Sequence, residues 1–170
     1  YADWTDIMAL VEQLVAHLAT ELCGSTTIRY QDRDLDLSVP WRRATLAELV
    51  EEQIGRPVSL DLPLDELRAL CDEHEVAWQD HYGPGKLLLE LYEKTAEGAQ
   101  WNPVFVTEYP IEVSPLARPH RELAGLTERF EGIVAGRELC NAFSELVDPD
   151  DQRSRFEHQA AQKEAGDDEA

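Results

Sequence analysis

The chain has 170 residues, 43% hydrophobic and 29% charged, enough for one domain with a real core, but no run approaches the ~18–20 apolar residues of a membrane span. Fifteen Lys and Arg against 35 Asp and Glu give a formal charge of −20, so this segment is not expected to grip nucleic-acid phosphates through positive charge. The three cysteines, Cys23, Cys71 and Cys140, are odd in number and form no CxxC pair, which argues against a disulfide framework or structural zinc and for a reducing cytoplasm.

The chain opens at Tyr1 without Met, inside a helical pattern, as a segment of a longer protein would. Residues 2–22 read as an amphipathic helix with Ile7, Leu10, Val11, Leu14, Leu18 and Leu22 on its apolar side, Asp3 as cap and Gly24 as stop. Thr26–Tyr30 and Leu35–Leu37 read as short strands joined by a turn at Gln31–Asp34. These elements make up 1–39. Residues 40–100 are helical in character, an insertion between two parts of a sheet. Thr45 and Glu48 form a capping box for a helix to about Ile54, ended by Gly55. A second helix starts at Asp61 or Pro63 and carries Leu64, Leu67, Leu70 and Cys71. Gly83-Pro84-Gly85 breaks the chain before a third with Leu87, Leu88, Leu91 and Tyr92. Residues 101–170 change style to antiparallel strands and a C-terminal helix. Val104–Val106 is a compact strand, Ile111 and Val113 continue extended, and Arg118 to Gly125 is a loop. Leu126–Ala135 and Arg137–Leu146 form a hairpin, and Asp148-Pro149 opens a charged helix to about Ala165, ended by Gly166-Asp167-Asp168-Glu169. The class is α+β, without alternating βα units.

Chemistry concentrates in Arg129–Glu145. A tight turn at Ala135-Gly136 would pair Val134 with Arg137 and set Glu138 opposite Ile133, on the face of Glu131. Two carboxylates on neighbouring strands suit Mg²⁺, which takes few protein acids plus waters and phosphate oxygens, and so point to a nucleotide. Asn141, Phe143 and Glu145 would offer an amide, an aromatic wall and an acid to a cationic amine. Strict alternation puts them opposite Glu138, so one shared cavity requires a bulge near Leu139-Cys140. Against this stands the ordinary case, in which strand acids are simply solvated. Weaker candidates are Gly83-Pro84-Gly85-Lys86, which lacks phosphate-loop spacing and reads as a helix-entry turn. Cys71, His74 and His81 lack a fourth zinc ligand, and Ser114 with His120 has no nucleophile elbow.

The blocks TEYPIEVSPLAR (Thr107–Arg118), LTERFE (Leu126–Glu131), GRELCNAFSEL (Gly136–Leu146), DP..Q..RF (Asp148–Phe156) and AGDDEA (Ala165–Ala170) resemble the signature of class II lysyl-tRNA synthetases. Tyr1–Met8 resembles the stretch just after that family's second motif. The similarity runs in order along the chain, dense after Thr107 and loose through the helical insertion. It implies part of the class II antiparallel sheet flanked by helices, and ATP-dependent activation of lysine followed by transfer to tRNA(Lys). It implies Glu131 and Glu138 as Mg²⁺ and ATP-binding acids, Asn141, Phe143 and Glu145 as the lysine pocket, and no residue acting as nucleophile or base. A homodimer is implied for the full-length protein. The family's first and third motifs, the arginine-bearing strands of its second and its anticodon-binding barrel are absent, so the segment alone is expected to be inactive. Cys140 stands where the family pattern leads one to expect Ala or Gly. Two other readings remain open: a lysyltransferase of the same fold acting on membrane lipid or on a protein, and a non-catalytic module derived from a synthetase.

Overall fold

The computed structural model describes residues 2–164; the expected Gly166–Glu169 helix end lies outside them. Asp3 caps α1 (Trp4–Cys23) through a reciprocal box with Asp6, and Gly24 ends it. A hairpin follows, β1 (Thr27–Tyr30) and β2 (Arg33–Asp36), whose turn is only Gln31-Asp32, both at positive φ. The turn is two residues shorter than expected, because this pair of left-handed residues matches the twist of the strands and lets Arg33 and Asp34 pair with Tyr30 and Arg29.

The stretch from Pro40, expected to be helical, opens with a strand, β3 (Arg42–Thr45). Its last residue, Thr45, caps α2 (Leu46–Ile54), with Glu48 completing the box as expected. Then come α3 (Leu64–Glu73) and α4 (Pro84–Thr95), followed by a short 3₁₀ turn at Glu97–Ala99. The chain continues through β4 (Val104–Thr107), β5 (Arg129–Val134), β6 (Arg137–Phe143) and α5 (Pro149–Glu164), the last capped by Asp148. The order β3-β4-β5-β6 makes one four-stranded sheet, antiparallel except for the parallel pair β3–β4. That pair requires a crossover, and α2 to α4 supply it.

The sheet is covered on both faces. On one, Val104, Val106 and Ile133 pack against Leu46, Leu49, Leu67, Leu70, Leu87 and Leu91 of α2–α4. On the other, Phe105, Phe130 and Trp41 meet Met8 and the partly buried Val11 and Val15 of α1. The expected apolar stripe of α1 is not its buried face. Leu10, Leu14, Leu18 and Leu22 are exposed, and Met8, Glu12 and Ala19 are buried. Glu12 decides the orientation: its carboxylate accepts from the Trp41 amide at 2.9 Å and from the Arg43 guanidinium at 2.6 and 3.0 Å. Turning the leucines inward would carry Glu12 out to solvent, breaking that pair and leaving the Trp41 amide without its acceptor. Among the described residues, no helix is long and apolar enough to cross a membrane.

Candidate functional site

Ile111–Val113, expected to be extended, is a 3₁₀ turn. The turn sends the Glu112 carboxylate to the first turn of α4, where it accepts from the Gly83 and Gly85 amides at 2.9 and 2.8 Å. This carboxylate occupies the helix N-terminus and takes two of its amides, so Gly83–Lys86 is a helix-entry turn. Ser114 and His120 also have structural partners. Ser114 Oγ accepts from Arg129, and His120 Nδ1 accepts from the Glu122 and Leu123 amides. Burial pushes the Cys71 thiol up to about 11, so it is a neutral core group.

The β5–β6 hairpin carries the predicted acids. Its turn residues Ala135 and Gly136 both have positive φ, and their amides donate to Trp101 and Gln100 carbonyls at 2.9 and 2.7 Å. A side chain at Gly136 would press on the Gly98 backbone, which reserves the position for glycine. These contacts bring the 3₁₀ turn bearing Glu97 beside the hairpin. Pairing runs Arg129↔Phe143, Glu131↔Asn141 and Gly132↔Cys140, then shifts to Ile133↔Glu138, leaving Leu139 as an extra residue. This is the expected bulge, at the expected place. It rotates the strand so that Glu138, Asn141 and Phe143 share the face of Glu131. Glu145 follows Phe143 by two residues and bridges to Ala117, where the Thr107–Arg118 block meets the end of β6.

Glu131 is partly buried and held at both oxygens. The Tyr109 hydroxyl donates to Oε2 at 2.8 Å and Arg129 Nη2 donates to Oε1 at 2.5 Å. Glu138 is exposed at the strand edge; partial burial first, then the charge of Glu131, raises its carboxyl above the ordinary range, with Arg129 opposing. Glu97 is raised by burial, then by Glu131 and Glu138. Glu97 and Glu138 thus both feel the charge of Glu131, with Arg129 beside Glu131 opposing it at Glu138. Sequence reasoning missed Arg129, Tyr109 and Glu97. The two-residue spacing from Arg129 to Glu131 could have flagged the arginine; nothing local marks the other two.

Among the described residues no group of three or more His, Cys, Asp or Glu is placed to hold a metal. That excludes an all-protein cage, yet a pair of acids on one face fits Mg²⁺, which keeps most of its shell for water and phosphate. Asn141 and Glu145 are exposed and Phe143 is partly buried, so this side of the face is open. Glu138 also lines a separate apolar concavity of about 350 Å³ with Val15, Leu37 and Val134.

An α+β sheet with one face presenting paired acids on a bulged hairpin defines the class. The chain belongs to the class II tRNA synthetases (D, K and N), whose family profile matches residues 1–170. It is similar to the lysine–tRNA ligases of Parasynechococcus marenigrum, at 49% identity over 175 residues, and of Bacillus subtilis, at 42% over 170. The lysine–tRNA ligase of Burkholderia pseudomallei is 45% identical over 176 residues. In each comparison the whole of this chain is covered, and it spans 34% of the relative's length.

Proposed function

We propose that this chain is part of a lysine–tRNA ligase that works in the cytoplasm as a homodimer. In the first step the lysine carboxylate attacks the α-phosphate of ATP, giving lysyl-adenylate and pyrophosphate. In the second a terminal ribose hydroxyl of tRNA(Lys) takes the lysyl group and AMP leaves. The observation that carries this reading is the β6 bulge, which puts Glu131, Glu138, Asn141 and Phe143 on one face. The lysine–tRNA ligases among its relatives support the choice of amino acid.

In this reading Glu131 and Glu138 hold Mg²⁺, which when bound offsets the negative charge of the ATP phosphates. Asn141 contributes its amide and Phe143 a flat wall along the aliphatic stem. Glu145 pairs with the side-chain ammonium, and an uncharged competitor would leave that acid without its partner. No side chain here acts as nucleophile or general base, so the rate enhancement comes from placement and electrostatics. The 170-residue chain alone, about a third of its relatives' length, is expected to be inactive.

The test is lysine-dependent ATP–pyrophosphate exchange by the full-length protein. Glu138→Ala and Glu145→Ala are each expected to lower it by at least about 100-fold, the scale on which a lost electrostatic contact acts. Undiminished exchange in both variants would overturn the site.

A further inference from the structure

We infer that Tyr109 and Arg129 are positioning residues for Glu131, and that Arg129 ties this acid to the Asn141 side of the pocket. The inference rests on the reading of Glu131 and Glu138 as magnesium acids given above. It begins with the saturation of one carboxylate: a phenol at 2.8 Å on one oxygen and a guanidinium nitrogen at 2.5 Å on the other. Two donors, one on each oxygen, fix both the rotamer and the plane of the carboxylate and leave one lone pair on each oxygen for a cation.

Arg129 is itself immobilised. Nη1 donates to the Val113 carbonyl and to Ser114 Oγ, each at 3.0 Å, and Nε donates to Asn141 Oδ1 at 3.3 Å. Its guanidinium lies 4.5 Å from the centre of the Tyr109 ring, and its side chain is only 16% exposed. A lysine could not make this set, because the fork geometry is what reaches Glu131, Ser114 and Asn141 at once. Arginine can only donate, so the Asn141 atom facing it is the amide oxygen. The amide NH₂ of Asn141 is then turned away from Arg129, as a donor.

A fixed cation beside a metal ligand opposes metal binding by charge. Arg129 and Tyr109 therefore assist Glu131 through orientation, as donors behind metal ligands commonly do. This separates the proposal from simple charge balance: Tyr109→Phe alters no charge, yet should weaken the metal site.

The experiment uses the full-length protein with a non-hydrolysable ATP analogue and follows Mn²⁺ binding by electron paramagnetic resonance. Lysine KM and kcat come from pyrophosphate exchange, and thermal melts check folding. Tyr109→Phe should weaken Mn²⁺ about 10-fold, within the range found for donors behind metal ligands, and leave lysine KM near wild type. Arg129→Lys should weaken Mn²⁺ and also raise lysine KM, since it releases Asn141. Ser114→Ala, which removes one of the two acceptors of Nη1, should do the same more weakly and serves if Tyr109→Phe does not fold. Glu131→Gln and Glu138→Gln are the controls. If they abolish nucleotide-dependent Mn²⁺ binding while Tyr109→Phe, Arg129→Lys and Ser114→Ala bind as wild type, the positioning role is overturned and the metal reading stands. If both Gln variants bind Mn²⁺ normally, the metal reading fails and takes this inference with it.

Discussion

At the scale of single residues, the acids of this face are a strained set in the free chain. Glu138 and Glu97 both titrate above the ordinary carboxylate range, burial coming first and neighbouring carboxylates next. Arg129 opposes the rise at Glu138, and its guanidinium is already committed to Glu131. A site of this kind is less stable than it could be, as binding sites often are. Glu138→Gln removes a like-charge neighbour of Glu131 while keeping shape and hydrogen-bonding capacity. It should raise the melting temperature of the metal-free protein by about 1–2 °C at pH 7, the effect of relieving one exposed repulsion. The same variant should lose pyrophosphate exchange in the full-length protein. Paired melts and exchange assays check this, and a fall in melting temperature would show that Glu138 stabilises the hairpin.

At the scale of elements, the bulge on β6 is the device that makes the face. Its partner position is Gly132, where a Cβ would lie 2.6 Å from Cys140 Sγ and 3.4 Å from the Phe105 ring. Gly132→Ala should therefore cost about 1–3 kcal/mol, the usual effect of overfilling a packed site. Adding Cys140→Ala should recover most of it; additive losses, seen by urea unfolding of both single variants and the double, would mean that the two side chains do not collide. The bulge was legible in the sequence because the proposed site demanded it: alternation alone splits Glu138 from Asn141, and the single cavity proposed for them needs both on one face. The boxes at Asp3 and Thr45 were legible because their partners lie three residues away. The strand at Arg42–Thr45 was not. It is short, bears two arginines, and pairs with Val104–Thr107, about sixty residues on. The Leu10–Leu22 stripe misled for the same reason. Both sides of α1 carry apolar residues, and the choice between them is made by Arg43, 31 residues beyond Glu12. Tyr109 meets Glu131 only once the sheet has formed, so its role had no local signature, whereas Arg129 stands two residues from Glu131 on the same strand.

At the scale of the whole molecule, the charge of −20 and the placement of the acids give stability a definite pH dependence. Two groups of carboxyls pull in opposite directions. Glu97, Glu108 and Glu138 have folded values raised above 4.5, with burial the first cause in each. Their contribution is complete below 4.5 and is lost as pH rises through the raised values. Glu12 and Asp151 are lowered, chiefly by hydrogen bonds from Arg43 and Arg155, from 4.5 and 3.8. Their contribution is complete above those values and is lost as pH falls through the depressed ones. Glu12 matters most among these, because it is buried and fixes α1 to the sheet through Arg43 and Trp41. General repulsion among 35 acidic residues also eases as protons bind. The two groups meet at about 4.5, so the melting temperature should peak near that pH and fall on both sides. Thermal melts from pH 4 to 8 at constant ionic strength would trace the curve. A steady rise across that range would mean that the ion pairs of Glu12 and Asp151 outweigh the crowded acids throughout, and that Glu97, Glu108 and Glu138 are better solvated than their surroundings indicate. The Arg43→Met variant sharpens the comparison. It strips Glu12 of its main partner, so the acid-side loss should shrink towards what Asp151 gives, while the fall above the peak, set by the three raised acids, persists.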